Sequence, residues 1–90
     1  MLIISYDIKD DKLRNRFMKE LVKNGAIRLQ YSVYEFNNNS RLVTHILALI
    51  EMSFAPKFTA DDSIVIFETE RNKLIKYGNA IHRDKPVCYF

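Results

Sequence analysis

The chain has 90 residues, 48% of them apolar and 28% charged, with two glycines, two prolines and a net charge of +3. That length fits one domain, and the scarcity of Gly and Pro excludes a low-complexity or disordered polymer. A domain this short buries only roughly 60 to 65% of its unfolded surface, so a lone subunit is marginal and a partner subunit is expected from size alone.

The opening Met-Leu-Ile-Ile run reaches Ser5, Tyr6 and Asp7 without a basic leader. Neither a secretory signal nor a membrane span is expected, and the expected location is the cytoplasm. Residues 2–7 read as a strand, because Leu2, Ile3 and Ile4 are consecutive β-formers followed by the polar turn 9–11. Asp10 is suited to cap a helix over 11–24, in which Leu13, Phe17 and Leu21 recur at i, i+4 and i+8 and Asn24-Gly25 supplies the stop.

Residues 26–36 are rich in Ile, Val, Tyr and Phe, but their alternation slips where Val33 and Tyr34 are both bulky. Two short strands with a tight break at Tyr31-Ser32 are expected. The Asn37-Asn38-Asn39 triplet is a turn, after which Asn39 or Ser40 caps a second helix whose Leu42, Val43, Ile46, Leu47, Ile50 and Phe54 hold helical spacing up to Pro56. Residues 57–62 read as loop, 63–69 as a strand, 70–76 as polar and unpatterned, 77–81 as a short strand and 86–90 as an extended tail. The single cysteine, Cys88, has no second thiol to pair with and reads as a small apolar residue of that tail.

This order predicts an α+β fold, the βαββαβ ferredoxin-like sandwich, with two helices on one face of an antiparallel sheet. It forms a single domain over 1–90, with a core at 1–69 and a C-terminal extension at 70–90. Ile64 and Ile66 point to one side of their strand and Val65 and Phe67 to the other, and the first strand is likewise apolar on both sides. Two helices cover one face only. The second cover is expected to be another copy, giving a homodimer packed sheet to sheet, with 70–90 available to pair with the partner's sheet edge.

On the first helix Lys12, Arg16, Lys19 and Lys23 fall within about 60° of arc and span a rise of roughly 16 Å. A cationic stripe of that length meets several phosphates of a duplex, with Arg14 and Arg28 extending it. A solvated helix face uses the same residues, so the wheel alone leaves both roles open. Asp7 ends the first strand on the face of Ile3 and Ser5. It either caps the turn before the helix or, if a dimer axis passes nearby, faces its own copy and recruits a divalent cation for phosphodiester cleavage. Asp10 and Asp11 suit a helix N-terminus, and Asp61 and Asp62 are expected to be solvated in a turn. His45 and His82 have no ligand at metal spacing, and Glu35 with Tyr34 either flanks a groove or edges the sheet.

Tyr6-Asp7-Ile8, Asp10-Asp11-Lys12 with Arg14 and Arg16 behind, Gly25, the run from Arg28 through Gln30, Ser32 and Tyr34 to Glu35, and the strand Asp62-Ser63-Ile64-Val65-Ile66-Phe67 together resemble the CRISPR-associated protein two family. The resemblance covers 1 to about 69 and implies a ferredoxin-like homodimer whose C-terminal segment packs on the partner. It implies a catalytic, magnesium-binding role for Asp7, with about one Mg2+ or other divalent cation per dimer. It further implies nucleic-acid contacts at Tyr6, Arg14, Arg16 and Arg28, and at Tyr34, where the family usually has Phe. Two roles follow for such a protein: a metal-dependent endonuclease on RNA or DNA, and the central dimer of a spacer-integration complex with the CRISPR integrase. Outside the family, a toxin-like messenger-cleaving ribonuclease of the same fold and a non-catalytic ferredoxin-like binding module share the pattern.

Overall fold

The computed structural model describes residues 1–78. Six main elements follow in chain order: β1 (Leu2–Asp7), α1 (Asp11–Lys23), β2 (Ile27–Gln30), β3 (Val33–Phe36), α2 (Ser40–Leu49) and β4 (Ser63–Glu68). The four strands form one antiparallel sheet in the order β2-β3-β1-β4. This is the ferredoxin-like α+β arrangement expected from the sequence. The apolar β1 lies inside the sheet between β3 and β4, where Leu2, Ile3, Ile4 and Tyr6 are buried.

The ends of α1 are set by local chemistry. Asp10 adopts an extended backbone and its carboxylate accepts the Leu13 N–H at 2.8 Å, satisfying one of the free donors of the first turn. At the other end Gly25 takes a φ of +92°, a conformation costly for residues with a Cβ. The Gly25 N–H then bonds the Val22 carbonyl and the Ala26 N–H the Leu21 carbonyl, a Schellman stop. Between these ends Leu13, Phe17 and Leu21 are buried as one stripe, facing the inward residues of the sheet.

The break between β2 and β3 falls at Tyr31-Ser32, with Ser32 at φ +66° and a register shift between Arg28 and Gln30. The Ser32 carbonyl accepts the Tyr6 N–H at 3.0 Å, which fixes this turn beside the end of β1.

Asn39 caps α2 by accepting from the Arg41 and Leu42 N–H groups. Beyond Leu49 the helix does not continue as α to Pro56, as its apolar spacing suggests. It widens into a π-turn at Ile50–Phe54, closed by the Ala55 N–H on the Ile50 carbonyl, and then tightens into a 3-10 turn at Ala55–Lys57. Phe54, at the end of the wide turn, is buried with its ring 5.1 Å from that of Phe17. That contact joins the two helices over the sheet.

On β4, Ile64 and Ile66 pack against the core, whereas Val65 and Phe67 on the opposite face are 55% and 51% exposed. Past β4, Thr69 exchanges bonds with Met1, and the chain makes a 3-10 turn at Arg71–Lys73. Tyr77 and Gly78 are not part of a strand, and the remainder of the strand expected at 77–81 lies outside the described residues, as do His82, Cys88 and the tail at 86–90. No helix among the described residues is long and apolar enough to cross a membrane.

Candidate nucleic-acid interface

Because Leu13, Phe17 and Leu21 commit one side of α1 to the core, the opposite side faces solvent. Lys12, Arg16, Lys19 and Lys23 are all exposed there. None of the four is in an ion pair among the described residues. Arg16 also places its guanidinium over the Phe54 ring, 5.6 Å from its centroid, a cation–π contact that orients the side chain while it remains exposed.

Arg14 is different. Its guanidinium donates to the carbonyls of Ile8 at 3.0 Å and Lys9 at 3.4 Å and pairs with Asp11. It thus holds the loop between β1 and α1 from the helix side. From the other side Asp62 holds the same loop: its carboxylate accepts the Lys9 N–H at 2.8 Å, and also the Thr59 N–H at 2.8 Å and hydroxyl at 3.2 Å. Asp62, expected to be solvated in a turn, is partly exposed and in addition holds these backbone donors. These backbone donors, Thr59 foremost and then Lys9, hold its carboxyl below the ordinary range.

Asp7 stands at the start of the clamped loop, opposite Ser63 on β4. Its side chain is 63% exposed and meets the Lys9 ammonium at 3.1 Å. An exposed carboxylate is the hard oxygen donor that a magnesium or calcium ion takes, but such ions want about six or more oxygens. Among the described residues no three His, Cys, Asp or Glu side chains converge as ligands. Asp7 by itself offers too few oxygens for such an ion, so further donors would be needed to complete a site there.

On the helix side of the same sheet end, Tyr6, Arg14, Asn15, Met18, Arg28, Tyr31, Ser32 and Tyr34 line a shallow depression. The structure thus brings together four of the residues singled out from sequence: Tyr6, Arg14, Arg28 and Tyr34. The rings of Tyr6 and Tyr34 stack at 6.1 Å and are buried, so neither offers an open face for stacking. Burial, reinforced by the neighbouring Tyr34, pushes the Tyr6 hydroxyl up to about 12, which keeps it protonated at neutral pH. Tyr31, which sequence reasoning treated only as a turn residue, is the exposed aromatic of the group. His45 is exposed on α2 and far from these groups in sequence.

Glu35 was expected at a groove or sheet edge. It is instead buried on β3, facing away from the helices beside Ile3, and pairs with Lys76 at 3.3 Å and Arg71 at 3.8 Å. The first part of the C-terminal segment thereby reaches its own chain.

The family model described as CRISPR associated protein Cas2 matches residues 1–77. The chain belongs to the Cas2 family. Its function is accordingly CRISPR-associated. The matched span takes in Asp7, the whole of α1 and the β2–β3 hairpin, so every Cas2-like position named from the sequence falls inside it. No curated relative matches the chain.

Proposed function

We propose that this Cas2-family chain works as a nucleic-acid-binding homodimer at the centre of a spacer-integration complex with the CRISPR integrase. The observation that carries this reading is the stripe of Lys12, Arg16, Lys19 and Lys23, exposed together along α1 and free of ion pairs among the described residues. Surface charge that serves only solubility ordinarily has both signs interspersed. A one-sign stripe roughly 16 Å long matches a run of duplex phosphates instead.

The second copy is supported by the far face of the sheet. Val65 and Phe67 are more than half exposed there, next to the buried Ile3. Packing two such faces about a two-fold axis removes apolar surface from water on both chains and sets two α1 stripes on the outside of one particle. The segment beyond residue 70 then passes from its own Glu35 toward the partner.

Asp7 lies on that same far face at its rim. Two copies across the axis would hold one Mg2+ or similar cation, completed by water, and Lys9 must first release the carboxylate. The bound cation supplies charge stabilisation at a phosphoryl oxygen. Cleavage of RNA or DNA by this route is secondary to the adaptor role, because no three ligating side chains converge among the described residues.

Reconstituted spacer integration with the cognate integrase separates the roles. An adaptor loses integration when Lys12, Arg16, Lys19 and Lys23 are changed together to Gln and keeps it with Asp7→Asn. Full integration by the fourfold variant contradicts the proposal.

A further inference from the structure

Neither the stripe on α1 nor Asp7 accounts for the corner where β2 turns into β3. Tyr31 there is 68% exposed, at the two-residue turn between the strands. Its position is fixed by backbone, because Ser32 beside it is held at φ +66° and bonded through its carbonyl to Tyr6. The Arg28 guanidinium lies over the Tyr31 ring, 5.8 Å from its centroid, and so is held next to a ring that remains open to solvent. Alongside lies the depression that Arg14, Asn15 and Met18 line together with Tyr6 and Tyr34.

The corner is also continuous with the stripe. On the α1 wheel Asn15 is roughly 40° from Lys19, so the depression follows the flank of the helix next to its cationic side. A phosphate backbone lying on the stripe therefore passes the mouth of the depression. An internal base pair cannot use an aromatic face, since both of its own faces are taken by its neighbours in the duplex; an unpaired base is free to turn onto the ring. Stacking on a tyrosine is tolerant of base identity, and an adjacent guanidinium suits the phosphate of the same nucleotide.

We infer that the Arg28–Tyr31 corner is a shelf for one unpaired nucleotide at the end of a bound duplex, with the base on the Tyr31 ring and its phosphate at Arg28. The shelf rests on the proposal that α1 carries a duplex, and it adds a preference for frayed or overhanging ends that the stripe by itself does not give.

The test compares binding of a blunt DNA duplex with the same duplex carrying a short single-stranded overhang, with 2-aminopurine at the first unpaired position. Wild type should bind the overhang form about tenfold tighter, within the range of a single base-aromatic stack, and quench the 2-aminopurine. Tyr31→Ala should lose both the gain and the quenching while binding the blunt duplex as before, and Tyr31→Phe should retain both. Changing the four stripe cations to Gln should weaken both duplexes in parallel and leave their ratio intact. Equal affinity of wild type for the two duplexes without quenching, or a gain that survives Tyr31→Ala, overturns the shelf but leaves the stripe standing. Failure of wild type to bind either duplex overturns both.

Discussion

Asp62 shows how one side chain sets the geometry at the end of β1. Its two oxygens join the turn at Thr59 to the backbone of Lys9, 53 residues away in sequence. The carboxyl is held below its ordinary value of 3.8, so the ionised form stabilises the folded chain at neutral pH. That stabilisation is fully present above the unfolded value and is lost as pH falls through the lower, folded one. The difference in Tm between wild type and Asp62→Asn should accordingly be full at about pH 7 and shrink below about pH 4. A difference that grows on acidification would contradict this role. Arg14 belongs to the same clamp, so Arg14→Ala should lower Tm where Lys19→Ala, on the exposed stripe, leaves it unchanged. Thermal unfolding of the two variants side by side checks the assignment. No sequence pattern announces this clamp: Asp62 sits in a polar turn like many solvated aspartates, and its partner is a backbone N–H brought close only by the β1–β4 pairing.

At the scale of elements, periodicity was a good guide wherever one face of an element is buried. The i, i+4, i+8 spacing of Leu13, Phe17 and Leu21 located α1, and the slip at Val33-Tyr34 located the hairpin turn, since a left-handed Ser32 changes which face follows. The spacing failed past Leu49, because Ile50 and Phe54 are four apart in an α-helix and remain apolar in a π-turn. It also could not show that Glu35 is buried, whose partner Lys76 lies 41 residues downstream.

Two element-level outcomes follow from the packing. Phe17 is 1% exposed and touches both Tyr6 and Phe54, so Phe17→Ala should cost about 3–5 kcal/mol in denaturant unfolding, a large share of a small domain's stability. Ser32→Val should destabilise by about 1–3 kcal/mol, since a β-branched residue resists φ +66°, whereas Ser32→Gly should be close to neutral. Equal losses for Val and Gly would place the effect in the side chain rather than the backbone.

For the whole molecule, the sheet has one face covered by helices and another on which Val65 and Phe67 stand exposed. The alternation along β4 marks this face in the sequence, and a second copy of the chain is the cover proposed for it. Light scattering at micromolar concentration should return the mass of two chains for the wild type and of one for Phe67→Glu, whose charge would be buried unpaired at the two-fold interface. In the proposed dimer the cationic track on α1 would be doubled.

The salt dependence of duplex binding measures that track directly. Each phosphate contact contributes about 0.9 to the slope of log K against log salt, so a dimer relieved of eight cations by changing Lys12, Arg16, Lys19 and Lys23 to Gln should lose up to about seven units of slope. An unchanged slope in that fourfold variant would mean that α1 presents nothing more than a hydrated surface.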